Sequence, residues 1–316
     1  MPKSALTDPE FHDEAAALAY IEGRLWPHGP TCPHCGNADT AKIGVLTGKS
    51  TRMGLRKCYA CYKPFNVKVG TIFEASHVPL HLWLQAIHLI CASKKGISSN
   101  QLHRMLGITL KSAWFLSHRI RAAMAPKSGA APLGGKGKHV EADETYIGRK
   151  AGRAIKQGPT HKQTILSLVE RGGEVRSFKI DMATVHEIAP LLVKNLDMQS
   201  TLNTDEGSHY IHVGKAFAGH QTVKHRAGEY ARGTAYTNTL EGYFSIFKRG
   251  MKGVYQHCAE KHLHRYLAEF DFRYNNRIAL GVDDNARADN ALKGVKGKRL
   301  TYRTARGSRP ASAAQA

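Results

Sequence analysis

The 316-residue chain is 42% hydrophobic and 8% aromatic, which excludes a disordered polymer and allows one large domain or two to three smaller ones. Its 46 Lys and Arg against 25 Asp and Glu give a formal charge of +21, a balance that favours a polyanion, either nucleic acid or an anionic membrane surface. No apolar run approaches the ~18–20 residues of a membrane span, and the N-terminus carries no signal-peptide pattern. Nucleic acid is therefore the expected partner, no membrane is expected, and the expected address is the cytoplasm or nucleoid.

Residues 1–27 read as an N-terminal helix over 6–26, capped by Thr7 or Asp8 and turning Phe11, Ala15, Leu18, Ala19 and Ile21 inward. Two C-x-x-C pairs follow, Cys32 and Cys35 in CPHCG, then Cys58 and Cys61 in CYAC. Thiolate pairs at this spacing match a tetrahedral structural Zn²⁺ site in a reducing compartment rather than a disulfide framework. Short strand-like runs around glycine turns surround them, so residues 28–75 are predicted to be a zinc ribbon. Its Lys42, Lys49, Arg52, Arg56 and Lys57 leave two readings open, a ribbon that touches DNA and one that is purely structural.

Residues 76–125 turn helical. Leu80, Trp83, Leu84, Ile87 and Cys91 make an apolar face to about Ala92, and Ser98-x-x-Gln101 is a capping box that opens a second helix. Gly107 ends that helix, and Thr109 caps a third from Leu110 to about Met124. Helix, glycine turn, helix is the layout of a helix-turn-helix, with an ordinary helical bundle as the alternative. On the first reading Lys111, His118, Arg119 and Arg121 are exposed and meet DNA. Residues 126–138 hold Pro, Gly, Ala and Lys without apolar periodicity and read as a linker.

From His139 the period becomes two, with Val140, Ala142 and Tyr146 on one face and His139, Glu141, Asp143 and Thr145 on the other. TILSLVERGGEVRSFKI reads as two strands joined at Arg171-Gly172-Gly173. A helix capped by Thr184 follows, then a short strand ending at Asp205, a helix, a strand, and an amphipathic helix striped by Leu240, Phe244, Phe247 and Met251. A last long helix carries Leu263, Leu267, Phe270 and Tyr274 on one side. Three strands, helix, strand, helix, strand, helix is the ribonuclease-H-like order, an α/β mixed sheet with flanking helices, placed here over residues 139–284. Residues 285–316, rich in Lys and Arg, read as a poorly ordered basic tail.

Three acids carry the chemistry. Asp143 lies within a strand, Asp205 at a strand end and Glu241 on a helix, with 61 and 35 residues between them. Held by different rigid elements, they suit a divalent metal pair for phosphoryl transfer. Each has a plainer reading: a solvated strand face for Glu141 and Asp143, a turn at Asp205, and a capping box with Asn238 as N-cap and Glu241 three residues on. Lys248 shares the face of Glu241 two helical turns away.

The motifs CPHCG, CYAC, EADETYIG, TDEGSHY, VKHRAGEYARG, NTLEGYFSIFKRGMKGVY and HLHRYLAEFDFRYNNR resemble those of bacterial insertion-sequence transposases of the zinc-ribbon-bearing, ISXO-two-like family within the DDE recombinases. The resemblance runs from about residue 10 to about residue 305. It implies Asp143, Asp205 and Glu241 as ligands of Mg²⁺ or Mn²⁺, and Lys248, with Arg249 beside it, as DNA contacts. Asn238 stands where the family has a characteristic polar residue and is the alternative third ligand. His225 is implied either to assist or to be structural. The implied activity is DNA cleavage and strand transfer at terminal inverted repeats and target DNA, by a homodimer or higher oligomer. Two rivals remain: a zinc-ribbon DNA-binding regulator, and a ribonuclease-H-like nuclease that cuts without joining.

Overall fold

The computed structural model describes residues 4–126, 129–224, 228–229 and 231–300. The first helix is shorter than the sequence implies. Two 3-10 turns, Ala5–Thr7 and Pro9–Phe11, precede α1 (Glu14–Leu25), because Pro9 starts a turn and the Asp13 carboxylate accepts the Ala16 N–H at 2.7 Å as N-cap. The inward face is therefore Ala17, Ile21 and Leu25, with Phe11 and Leu18 at its edge and Ala15 and Ala19 exposed.

The ribbon holds three short antiparallel strands in the order β1 (Ile43–Val45), β2 (Arg56–Cys58), β3 (Pro64–Phe65). Ile43 pairs with Cys58, and with Cys32 and Phe65 they make a core too small to stand alone.

Helices α2 (Leu80–Ala92), α3 (Ser99–Leu106) and α4 (Leu110–Met124) follow the expected caps. Ser98 accepts the Gln101 N–H and Thr109 that of Ser112, each at 3.1 Å, and Gly107 turns between the helices at φ 63°. The exposure expected of α4 is not found beyond its first turn. Lys111 is exposed, but His118, Arg119 and Arg121 are at most 5% exposed. The helix is central, covered on several sides, so its charges serve the protein itself. Arg119 donates to the carbonyls of Ile72 and Glu74 at 2.7 Å and of Leu300 at 3.1 Å. His118 packs among Trp114, His262 and Tyr266, and burial pushes its imidazole down to about 2.

The second unit is a five-stranded mixed sheet ordered β6-β5-β4-β7-β8: β4 (His139–Ile147), β5 (Gln163–Glu170), β6 (Val175–Ile180), β7 (Thr201–Thr204) and β8 (Gly219–Thr222). The first three are antiparallel; β7 runs parallel to β4, and β8 to β7. Period-two alternation divides the faces. Val140, Ala142, Leu166 and Leu168 pack on α5 (Val185–Asn195) and α6 (Ser208–Gly214). On the other face Ile147, Ile165, Val169 and Val175 pack on α7 (Asn238–Gly250) and α8 (Leu263–Asn275). A small hairpin, β9 (Ala231–Arg232) and β10 (Ala235–Tyr236), leads into α7, and a π-helical turn, Met251–Tyr255, leaves it.

Two segments read as loose are docked. In the expected linker, Leu133 is buried and bridges to Leu196, while the Gly134 N–H donates to Glu170 at 2.9 Å. Within the expected basic tail, α9 (Asp284–Lys293) buries Ala291 and Leu292 among α1, α2 and α4. Arg287 of α9 donates to the carbonyls of Cys91 at 2.9 Å and Asn276 at 2.7 Å. Gly294 approaches α4 so closely that a Cβ would lie 2.2 Å from the Ala123 oxygen. Beyond residue 300 the tail lies outside the described residues. Apolar residues spaced among the charges tie this stretch down, a pattern that its net charge conceals.

The two units meet at a buried charge cluster. Arg121 of α4 donates to Glu269 of α8 at 2.6 Å, Tyr255 adds a hydrogen bond at 2.5 Å, and Arg273 pairs with the same carboxylate. Glu269 is completely buried, and its charge survives only because these cations and donors surround it. Among the described residues no helix is long and apolar enough to cross a membrane.

Candidate active site and zinc cluster

Glu141 and Asp143 share one face of β4 and have different tasks. Glu141 is fully buried and accepts from Arg171 Nε at 2.7 Å, the Thr239 hydroxyl at 2.8 Å and the Leu240 N–H at 3.1 Å. The Leu240 N–H belongs to the first turn of α7, where backbone donors lack intrahelical partners, so a strand carboxylate caps the helix from outside. This replaces the expected capping box. The N-cap is Thr237, while Asn238 is the first helical residue and exposed. A buried carboxylate must find donors, and the helix end supplies them.

Arg171 completes the arrangement. Beyond Glu141 it donates to the carbonyls of Thr234 at 2.8 Å and Tyr236 at 2.7 Å, and its guanidinium lies 3.4 Å from the centre of the Tyr236 ring. The strand of Asp143, the β5–β6 turn and the approach to α7 are thus joined through one partly buried ion pair. The sequence reading saw Arg171 only as part of a turn and Glu141 only as a strand-face acid. The available signal was Glu141 itself, two residues before Asp143 and therefore on the same face.

Asp143 and Asp205 lie at one level of the sheet. Glu141 pairs with Asn203 across β4 and β7, and each aspartate stands two residues further on. Glu241 faces them from the first turn of α7. Burial, then the charges of Glu144, Asp205 and Glu241, push the Asp143 carboxyl up to about 8, against a bond from the Glu144 N–H. Glu144 itself is held by the Tyr210 hydroxyl and by His209 Nε2 at 3.1 Å. That bond to Glu144 raises the His209 imidazole above its ordinary value.

The expected stripe of α7 fixes Glu241 from behind: Leu240, Phe244, Phe247 and Met251 are all buried. Tyr243, absent from that stripe as read, adds hydrogen bonds to Asp271 at 2.5 Å and Ser177 at 3.1 Å. Lys248 is partly buried on the same helix. Arg249 turns back onto Ser245, at 2.6 Å and 3.1 Å. His225 lies outside the described residues.

The four cysteines converge as expected. Their sulfurs all lie within 4.8 Å of one another, with Cys32–Cys61 at 3.7 Å and Cys35–Cys58 at 3.8 Å. A tetrahedron with Zn–S bonds of ~2.3 Å has edges of about 3.8 Å, so the sulfurs fit a structural Zn²⁺. Among the described residues this is the only group of three or more potential ligands gathered so tightly.

A thiolate-lined ribbon before a mixed sheet with coupled carboxylates defines a zinc-ribbon protein with an acidic α/β site. Residues 12–63 match the transposase zinc-ribbon domain, and residues 132–275 match the ISXO2-like transposase domain. The chain thus carries a transposase zinc-ribbon domain followed by an ISXO2-like transposase domain, and a domain of the latter kind implies a DNA-cleaving and DNA-joining enzyme. It is 28% identical over 283 residues to an uncharacterized protein in transposable element ISH50 of Halobacterium salinarum, covering 83% of this chain and 91% of that one. It is also similar to a chain in the simian T-cell lymphotropic virus intasome complexed with PP2A regulatory subunit B56 gamma. That likeness has 16% identity and a TM-score of 0.30, over 54% of this chain and 63% of the other, and carries no argument.

Proposed function

We propose that this chain is a DDE-type transposase that binds the terminal inverted repeats of its insertion sequence and catalyses metal-dependent DNA cleavage and strand transfer. The strand order, with three antiparallel strands, two parallel ones and helices on both faces, supports a ribonuclease-H-like reading of the sheet. One observation carries the catalytic reading: Asp143 on β4 and Asp205 just past β7 stand at one level of the sheet, and Glu241 on α7 is near enough for its charge to reach Asp143, adding to burial, Glu144 and Asp205 in raising that carboxyl.

The donor set suits hard divalent cations. Carboxylates on separate elements can face two centres ~3.5–4 Å apart without being gathered on one. When bound to Asp143, Asp205 and Glu241, Mg²⁺ or Mn²⁺ would activate the attacking water or 3′-hydroxyl and stabilise the leaving oxygen. Glu141 and Arg171 hold α7 in register with β4, which keeps Glu241 opposite the aspartates. Lys248 is a phosphate contact that positions DNA along α7. Asn238 lies three residues before Glu241 on the first turn of α7; an ionised carboxylate is the better ligand for a hard divalent cation than a neutral amide, which supports Glu241 as the third ligand. The protein acts as a homodimer or larger assembly on DNA, at the nucleoid.

Incubating the protein with Mg²⁺ and the DNA flanking its own gene, then mapping nicks and joined products, tests this. Nicks at the element ends and joining of a pre-cleaved end are expected. Cutting without joining would make it a nuclease, and neither activity would leave a DNA-binding regulator.

A further inference from the structure

The two zinc knuckles are built alike and finished differently. After the second cysteine of each pair the backbone closes on the first: the Cys32 N–H donates to Asn37 at 2.8 Å, and the Cys58 N–H to Lys63 at 3.1 Å. The residue between is left-handed in both, Gly36 at φ 76° and Tyr62 at φ 61°. Glycine adopts this conformation freely, whereas a bulky L-residue is strained there. Burial does not offset the strain, because Tyr62 is 71% exposed.

Its neighbours suggest a use for the ring. Tyr59 is 48% exposed and lies over Gly44, where a Cβ would stand 2.9 Å from its ring. Lys57, paired with Gly44 on the same face, places its ammonium 5.7 Å from the Tyr59 ring centre and 5.9 Å from that of Tyr62. Charge selects the partner. Between Asp39 and Glu74 the sequence has no Asp or Glu, while Lys57 stands in the patch and Lys63 follows Tyr62 directly. A cation between two exposed aromatic rings, on a segment with no acid of its own, suits a nucleic-acid backbone.

We propose that Lys57, Tyr59 and Tyr62 form a DNA-contact patch on the second zinc knuckle. Lys57 takes a phosphate, and the tyrosine rings pack on the adjoining sugars with their hydroxyls toward phosphate oxygens. This rests on the transposase reading and gives the ribbon a defined part in it.

The test is Tyr62→Gly in the full-length, zinc-loaded chain, with a labelled random-sequence duplex as probe. The substitution removes the ring and relaxes the backbone, so stability and affinity should move apart. Zinc content should stay the same and the thermal midpoint should hold or rise. The duplex Kd should rise roughly fivefold or more, the low end of the cost of one lost aromatic contact with nucleic acid. Lys57→Ala should reduce the salt dependence of binding by about one phosphate. Wild-type affinity in Tyr62→Gly, zinc loss in that variant, or an unchanged salt slope in Lys57→Ala would each overturn the patch while leaving cleavage to be judged separately. Failure of the wild-type chain to bind the duplex would overturn the transposase reading as well.

Discussion

The four sulfurs of the ribbon lie within 4.8 Å of one another, whereas the three acids at the sheet feel each other's charge without being gathered so closely. The difference follows from who builds each site. Two knuckles place the thiolates by local backbone geometry, and the metal contributes much of the ribbon's folding energy. The acids come from two strands and a helix, and the sheet, the Glu141–Arg171 pair and the α7 core position them whether or not a metal is bound. The ribbon should therefore depend on its metal for structure, and the acidic site only for chemistry.

The largest effect expected from that contrast is in the ribbon. Structural zinc in comparable peptides contributes roughly 10–16 kcal/mol, so Cys32→Ser or zinc chelation should unfold residues 28–75. Hydrogen exchange would show fast exchange there and continued protection in β4 to β8. Uniform protection after verified zinc removal would erase the contrast.

Next comes the junction between the two units. Glu269→Ala leaves Arg121 and Arg273 buried without their counter-charge, and breaking such a buried pair costs about 3–5 kcal/mol. Denaturant unfolding would register the loss, and a change below about 1 kcal/mol would show that the cluster relaxes or takes in water.

Glu141→Gln should cost less, about 1.5–3 kcal/mol, the range for hydrogen bonds to a charged group. It should slow strand transfer more than it weakens DNA binding, because the capped end of α7 carries Glu241. Equal losses in binding and rate would make Glu141 purely structural.

A further effect is set by pH. The folded Asp143 carboxyl titrates at about 8 against an ordinary 3.8, so between those values the folded chain binds more protons than the unfolded one. The metal-free protein should thus lose stability as pH rises from about 4 through about 8. Divalent-cation affinity should improve over the same window, since binding requires the ionised carboxylate. Thermal midpoints with and without Mg²⁺ should converge at low pH and diverge as it rises, and Asp143→Asn should flatten both trends.

The same contrast explains how much could be read from the sequence. The cysteines were legible because their geometry is local, two C-x-x-C pairs and nothing more. Asp143 could be placed within a strand, Asp205 at a strand end and Glu241 on a helix because the period of each element is clear. The apolar stripe of α7 was legible for the same reason, since Leu240, Phe244, Phe247 and Met251 repeat at helical spacing. What stayed hidden was non-local. Arg119, Arg121 and His118 look like a DNA-facing row until the residues that cover α4 are seen, among them α8, α9 and the carbonyls at residues 72 and 74. The Glu141 cap joins residues nearly a hundred positions apart, and α9 docks on helices from the other end of the chain. No period or spacing encodes such contacts.

The central claim is that Asp143, Asp205 and Glu241 act as one metal-holding unit, and strand transfer of a pre-cleaved end in Mg²⁺ tests it most directly. Asp143→Asn, Asp205→Asn and Glu241→Gln should each bind the DNA normally and give no joined product, because an amide keeps the shape and loses the charge. Asn238→Ala should still join. Joining by Glu241→Gln within about tenfold of wild type, beside an inactive Asn238→Ala, would move the third ligand to Asn238. The same joining with Asn238→Ala also active would contradict the triad.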